Sequence, residues 1–368
     1  MKIKKVDVFA ARLPLKEPFI ISYLRLDDMP TILTRVETES GLVGWGEAVP
    51  DPIVTGETWE STYQIIRNEL APLLIDESPF SIDRIHKKFN ETVSEVPSAK
   101  AALDIALYDL MGKITGQPVY QLIGGKAHEE LQVPKVISIK EPEVMAEDAS
   151  NYVAAGCRNI KIKVGTNAAD DIKRIQAVRE AIGKDVQLRV DANQGWSRIE
   201  ALKVIHETAD CNVDWYEQPV KAHDLKSMKE IRSVSHASIM IDEGVHNIHD
   251  LVDVIEMRAA DMLNIKLMKS GGIYPALALA NLAEAADMPC QIGSMVESAI
   301  GTMAGAHLAI AKSIIKTNEM VGPQMFLKDV ASVTFDGDIL QFSNQPGLGI
   351  EVDEDFVKEI TCFSCEIQ

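Results

Sequence analysis

Five residues at a nearly constant interval could carry chemistry: Lys163, Asp191, Glu217, Asp242 and Lys266, separated by 28, 26, 25 and 24 positions. Each stands at or near the C-terminal end of a short apolar run: NIKIKV, VQLRVD, VDWYEQ, SIMIDE and MLNIK. A strand, a turn and a returning helix take about that many residues. Five successive parallel strands would therefore point one functional group each at a common mouth. Three carboxylates converging there would repel one another unless a cation lay between them. Oxygen donors without a neighbouring Cys or His suit a hard divalent ion, Mg²⁺ first, with water or substrate completing its shell. Singly, each acid reads as a helix cap or a solvated charge; the shared register argues for a set.

Lys161 and Lys163 are two apart on a strand, so both project to one face. In a barrel that face is the interior, where lysine does not ordinarily belong. Crowded against each other and a metal, these amines should lose proton affinity through like charge and desolvation. That would make a lysine a general base near neutral pH. A KxK alone is common on exposed strands, and only its place in the ladder gives it weight. Lys266, in NIKLMKSGG, ends a strand on the far side, so a molecule at the mouth would lie between it and Lys163.

The elements that must position these groups follow from periodicity. Residues 1–49 read as three strands, KIKKVDVFAARL, TILTRVETES and LVGWGEAV, with a turn at Gly41. From Thr58 to about Lys113 the pattern is helical, and SAKAALDIALYDLMGKITG makes a strongly apolar helix ended by Gly116 and Pro118. Strands followed by helices indicate an α+β domain over 1–125, with a boundary near Leu122–Lys126. From Val133, strands around 133–139, 159–164, 186–191, 213–218, 238–242, 262–266, 289–293 and 317–321 alternate with amphipathic helices. Eight strands with parallel crossovers predict a barrel over 126–326, not an open nucleotide-binding sheet. The tail, 327–368, has strand-like pieces (SVTFDGDIL, GIEVDEDF) and should return onto the N-terminal domain.

Composition bounds the partners. At 368 residues the chain fits a barrel plus an added domain, and its 46% hydrophobic and 25% charged content is that of a globular protein. The net charge of −18 argues against nucleic acid or an anionic membrane surface as partner. The N-terminus alternates like a strand and lacks a signal peptide's apolar core. The most apolar stretch, Ala299–Ile315, carries His307 and Lys312 and makes a poor membrane span. Five cysteines give no disulfide framework, and Cys362-x-x-Cys365 alone is a weak metal or redox signal. Cytoplasmic location is the default expectation, and oligomeric state is not legible although assembly of identical chains is possible.

KIKVG, RVDANQGW, YEQPV, IDEGV and NIKLMKSGG, in this order and spacing, resemble the enolase superfamily, specifically its muconate-lactonizing subgroup, over the whole length. The resemblance implies a modified (β/α)7β TIM-type barrel under an α+β capping domain formed by the N-terminal segment and the C-terminal tail. It also implies Mg²⁺ stabilising an enediolate made by removing the proton α to a carboxylate. By family correspondence Asp191, Glu217 and Asp242 bind the metal, and Lys163 and Lys266 are the acid/base pair. Lys161 polarises the substrate carboxylate, with Asn193 and Glu243 as supports behind the ligands.

Two opposed lysines permit proton removal from one face and return to the other. The same pair can serve dehydration or cycloisomerisation, so the ladder alone does not choose. LIGGK, SMVESAIGTMAGAH and GWGEAVPDPIVTGE look most like dipeptide epimerases. There the segment corresponding to Ser294, Met295, Val296 and Ser298 holds the dipeptide backbone, and an Asp-x-Asp on the next strand pairs with its ammonium. This chain departs, reading Glu319, Met320, Val321: one acid is longer and the other is gone. Matching the cap from Pro18-Phe19 puts Leu24 where Ala-Glu epimerases carry an arginine, with Arg25 next. Leu24, Ile20, Ile53 and Val54 would line an apolar pocket, and Val136 and Val321 complete the candidate set. The expectation is a dipeptide epimerase favouring a small first residue such as Ala and an apolar or small polar second one. The alternative is o-succinylbenzoate synthase or N-acylamino acid racemase. A barrel that only binds metal is disfavoured, because buried lysines without a task cost stability.

Overall fold

A computed structural model describes residues 1–368. The N-terminal unit is a long antiparallel meander, β1 (Ile3–Ile20), β2 (Arg25–Thr38) and β3 (Val43–Ala48). Its inner face, with Val6, Val8, Ile32 and Val36, packs on the helix Pro97–Thr115. The approach is close: a Cβ at Gly44 or Gly46 would overlap the carbonyl oxygens of Ala106 and Ala102. Glycine at both positions thus lets β3 lie directly on the helix.

After the short strand β4 (Leu131–Gln132), eight strands run in sequence order round a curled parallel sheet. They are β5 (Lys135–Ile137), β6 (Asn159–Lys163), β7 (Gln187–Asp191), β8 (Trp215–Glu217), β9 (Ser238–Ile241), β10 (Met262–Ile265), β11 (Cys290–Ile292) and β12 (Ile315–Asn318). Each of the first seven is followed by a helix on the outer side, and the eighth only by the short turn Gly322–Met325, giving a TIM-type barrel with a separate antiparallel cap. A hairpin, β13 (Phe335–Asp336) and β14 (Ile339–Leu340), pairs with β4, and β15 (Thr361–Ile367) pairs antiparallel with β1. No helix is long and apolar enough to cross a membrane. All five cysteines are free.

Three differences from the periodicity reading bear on the site. The β1–β2 hairpin runs on past Leu13, pairing Phe19 with Leu26 and Ile20 with Arg25, and so carries the cap to the barrel mouth. The last barrel strand ends at Asn318, earlier than the pattern over 317–321 suggests, so Glu319 stands just beyond its end. GIEVDEDF gives no strand: its last three residues open a helix (Glu354–Ile360), because the Asp353 carboxylate accepts from the Phe356 N–H at 2.9 Å and starts a turn.

Candidate active site

The ladder is in register. Lys163 on β6 lies opposite Asp191 on β7, which lies opposite Glu217 on β8. Asp242 and Lys266 each follow the last residue of their strand by one. Asp191, Glu217 and Asp242 are fully buried. Lysines neutralise them in two groups. Lys161 Nζ lies 2.9 Å from Asp191 Oδ2, 2.9 Å from Glu217 Oε2 and 2.8 Å from Glu319 Oε1, while Lys163 Nζ lies 2.7 Å from Asp191 Oδ2. Across the barrel, Lys266 and Lys269 each approach one oxygen of Asp242 at 2.7 Å.

Neighbouring side chains fix this arrangement. Asn193 adopts the left-handed region (φ +41°), donates its N–H to Asp191 Oδ1 at 2.9 Å and its amide to Glu243 Oε1 at 3.2 Å. Asn264, two before Lys266 and on the same face, donates to Glu217 Oε1 at 2.8 Å. Gln218 accepts from the Asp242 and Gly244 N–H groups at 2.9 and 3.2 Å. One layer below, Arg189 donates to Gln291 Oε1 at 3.3 Å and to the Asn318 carbonyl at 3.0 Å.

Charge balance contradicts one expectation. Burial works most strongly against the ammonium of Lys161, yet Asp191, Glu217 and Glu319 outweigh it and hold this amine above the usual lysine range. Lys266 is raised in the same way, against burial, by Asp242 and Glu243. At Lys161 the expected loss of proton affinity is reversed because carboxylates, not other amines, are its nearest charges. Lys269, by contrast, is lowered, by burial ahead of all other causes. Glu217 is pushed up to about 8, first by burial and then by the charge of Asp191. Burial opposes ionisation of Asp191 and Asp242 too, but their lysine partners hold both well below the ordinary carboxylate range.

No group of three or more His, Cys, Asp or Glu side chains is drawn together as a ready ligand set. Lysine ammoniums occupy the inner oxygens instead. The donor chemistry nonetheless suits a hard cation: Asp191, Glu217, Asp242, Glu243 and Glu319 are all buried acids. Both Asp242 oxygens face ammoniums without the alignment of a hydrogen bond, and Glu243 Oε2 and Glu319 Oε2 have no partner.

Above the ladder lies one cavity, of whose eighteen lining residues eleven are hydrophobic, which marks it as a largely apolar chamber. Lys163 and Lys266 both open onto it, as do Asn193 and Glu243. The cap contributes Phe19, Tyr23, Leu24 and Val54; the barrel contributes Val136, Ser294, Met295, Val296, Glu319 and Val321. Leu24 faces the cavity, whereas Arg25 is exposed and pairs with Asp27. Ile53 is a correction: it is 63% exposed and outside the lining, because Asp51 Oδ1 accepts from the Ile53 and Val54 N–H groups in a tight turn that directs only Val54 inward. Ile20 also lies outside, its neighbours Phe19 and Ile21 taking the lining positions. Ser298 is buried against Glu47 and does not reach the cavity. Lys161 does not line it either, being enclosed by its three carboxylates.

Sequence reasoning missed Lys269, Asn264, Arg189 and Asp51. Asn264 and Arg189 each sit two residues before a ladder residue, so strand alternation could have found them. Asp51, in the turn PDP, lines the same cavity as Lys266 and gave no periodic signal.

Known proteins agree with this architecture. Residues 3–124 match the mandelate racemase/muconate lactonizing enzyme N-terminal domain, and residues 144–356 match the enolase C-terminal domain-like family. The chain belongs to the enolase superfamily. The N-succinyl-L-Arg/Lys racemase of Bacillus cereus is 48% identical over 99% of both chains, and its crystal structure superposes with a TM-score of 0.99 over the full length of each. A hydrophobic dipeptide epimerase of Enterococcus faecalis is 42% identical over 86% of this chain and 89% of its own. A dipeptide epimerase of Cytophaga hutchinsonii, solved with Mg and D-Ala-L-Val, is 33% identical over the full length of both, with a TM-score of 0.96. This enolase-superfamily member is an isomerase acting on amino acid derivatives, a racemase or epimerase.

Proposed function

We propose that the protein inverts the α-carbon of N-substituted amino acids by moving a proton between Lys163 and Lys266, with N-succinyl derivatives of basic residues preferred over dipeptides. The observation that carries this reading is that the two lysines, on strands four apart in an eight-stranded barrel, open onto the same apolar cavity. A substrate between them exposes opposite faces of its α-carbon to the two amines. Asp191, Glu217 and Asp242 would hold a Mg²⁺, which when bound stabilises the negative charge growing on the substrate carboxylate and offsets the acids that now favour the lysine ammoniums. One lysine takes the α-proton while the other, still charged, returns one to the opposite face. Lys161, enclosed among Asp191, Glu217 and Glu319, balances the acids behind the reacting pair.

Two features favour an acyl substituent over an ammonium. Val321 stands where a second acid would pair with a dipeptide's N-terminus, and Glu319 Oε1 is engaged by Lys161. Asp51 supports a cationic side chain: its Oδ1 serves the turn, while its Oδ2 meets only the Tyr23 hydroxyl, at 3.4 Å. An acid in an apolar chamber selects a positive group. The Bacillus cereus relative acts on N-succinyl-Arg/Lys, in accord with that end of the chamber. The dipeptide reading keeps one specific support, the buried and unpartnered Glu319 Oε2, which could accept an ammonium.

Proton NMR in D₂O with Mg²⁺ tests both. Loss of the α-proton signal from N-succinyl-arginine and N-succinyl-lysine, with racemisation, is the expected result. Exchange confined to Ala-Xaa dipeptides would move the substrate to the second reading, and no exchange with either class would end the proton-transfer proposal.

A further inference from the structure

The loop Ser294–Ser298, which meets the cavity through Ser294, Met295 and Val296, has a conformation that needs holding. Val296 has φ +67°, the left-handed region that a β-branched residue avoids. Two buried glutamates restrain it. Glu297 folds back so that its Oε2 accepts from Ser294 Oγ at 2.6 Å and from the Met295 N–H at 2.9 Å. Ser294 Oγ in turn accepts from the Val296 N–H at 2.8 Å. Glu47 reaches in from the cap strand β3. Its Oε1 accepts from the Ser298 N–H at 2.9 Å and from Thr31 Oγ1 at 3.0 Å, and its Oε2 from Ser298 Oγ at 2.7 Å and the Gly301 N–H at 2.8 Å. Four donors converge on one fully buried carboxylate. A Cβ at Gly301 would lie 2.9 Å from Glu47 Oε2, so residue 301 must be small for this contact to exist. At the other end of the loop, Met295 Sδ lies 3.8 Å from Lys266 Nζ.

We infer that Glu47 is a positioning residue that registers this loop from the cap and, through Met295, sets how Lys266 is presented to the substrate's α-carbon. The inference rests on the two-lysine reading above. Only a carboxylate offers acceptors on both sides; the amide of Glu47→Gln must turn its NH₂ either toward the Ser298 and Thr31 donors or toward Gly301 and Ser298 Oγ. Lys163 makes its hydrogen bond and ion pairs with Asp191 and Glu319 and none with this loop, so disturbing the loop should affect one face of the substrate and spare the other.

Mg²⁺-loaded enzyme and the two enantiomers of N-succinyl-lysine in D₂O provide the test, read as α-proton exchange without inversion. Lys163→Ala and Lys266→Ala assign which enantiomer each lysine serves. If the native protein exchanges neither enantiomer, or these variants do not divide them, the two-lysine reading fails and takes this inference with it. If they divide them, Glu47→Gln should slow exchange of the Lys266-served enantiomer roughly ten-fold more than the other. Equal slowing of both, or no slowing, overturns the inference and leaves the two-lysine reading intact. Ser298→Ala, which removes one donor without stranding a buried charge, is the second variant should Glu47→Gln fail to fold. It should skew exchange the same way by a smaller factor, and no skew there counts equally against the role of Glu47.

Discussion

The floor and the walls of the cavity are built on opposite principles. The floor is the ladder: strand ends of one barrel, regularly spaced, with acids and amines paired at 2.7–2.9 Å. The walls come from the cap hairpin, the Asp51 turn and the Ser294–Ser298 loop, which meet across the boundary between cap and barrel. Repeated βα geometry sets the floor without reference to substrate. Long-range contacts such as Glu47 to Ser298 set the walls. The floor can therefore stay fixed across enzymes of different specificity while the walls change.

Breaking the floor should give the largest effects. Lys163→Ala and Lys266→Ala should each lower racemisation by about 10³-fold or more, because each removes a proton donor or acceptor that no other cavity-lining group replaces. Mg²⁺ should still raise the melting temperature of both variants. Retained turnover in either would mean that protons move by another route. Chelation should abolish activity and Mg²⁺ restore it. Since Glu217 is held near 8 by burial and its acidic neighbours, Glu217→Gln should fold yet lose the Mg²⁺-dependent rise in melting temperature.

The next effect concerns stability where the cap meets the barrel. Burial, only partly offset by hydrogen bonds from Ser298 and Gly301, pushes Glu47 from 4.5 up to about 7. A carboxyl raised on folding stabilises its protonated state. Its contribution is complete below pH 4.5 and is lost as pH rises toward 7, by about 3 kcal/mol if the whole shift is realised. Glu47→Gln cannot titrate. The stability advantage of the native protein over this variant should thus be larger at pH 5 than at pH 8 in paired urea unfolding. An advantage that grew with pH would mean that Glu47 is stabilised as the anion.

Legibility followed the same division. Lys163, Asp191, Glu217, Asp242 and Lys266 were readable because strand, turn and helix repeat at a near-constant length and the sign of each residue is unusual for a strand end. Asn193 and Glu243, two and one residues beyond Asp191 and Asp242, came from the family resemblance and not from periodicity. The charge state of the lysines was not, since it depends on which acids lie within 3 Å of each amine. Ile53 and Val54 are consecutive and equally apolar, so nothing local told which one a tight turn would bury. Glu319 was placed in a strand by its neighbours but lies just beyond one, where Lys161 rather than open space receives it.

Selectivity should respond next. Asp51→Asn keeps an acceptor for the Ile53 and Val54 N–H groups but removes the charge from the chamber. Preference for N-succinyl-arginine over N-succinyl-norleucine, measured as a ratio of kcat/KM, should fall roughly ten- to hundred-fold with kcat for neutral substrates little changed. An unchanged ratio would put the cation-binding end elsewhere. Val321→Asp asks the converse question, and should shift relative activity toward Ala-Xaa dipeptides by supplying an acid for their ammonium.

The smallest expected effect separates two neighbours. Val54 is 5% exposed and lines the chamber, while Ile53 is 63% exposed, although both N–H groups are held by the same Asp51 oxygen. Val54→Ala removes apolar contact with bound substrate and should raise KM by roughly three- to ten-fold, the range for losing one or two methylene equivalents of burial. Ile53→Ala removes only a solvated side chain and leaves the turn's backbone bonds in place, so kcat and KM should stay within about two-fold of the native values. Equal sensitivity at both positions would mean that the turn closes further over substrate than it does here, bringing Ile53 down onto the chamber. The wall would then be a moving element set against a rigid floor.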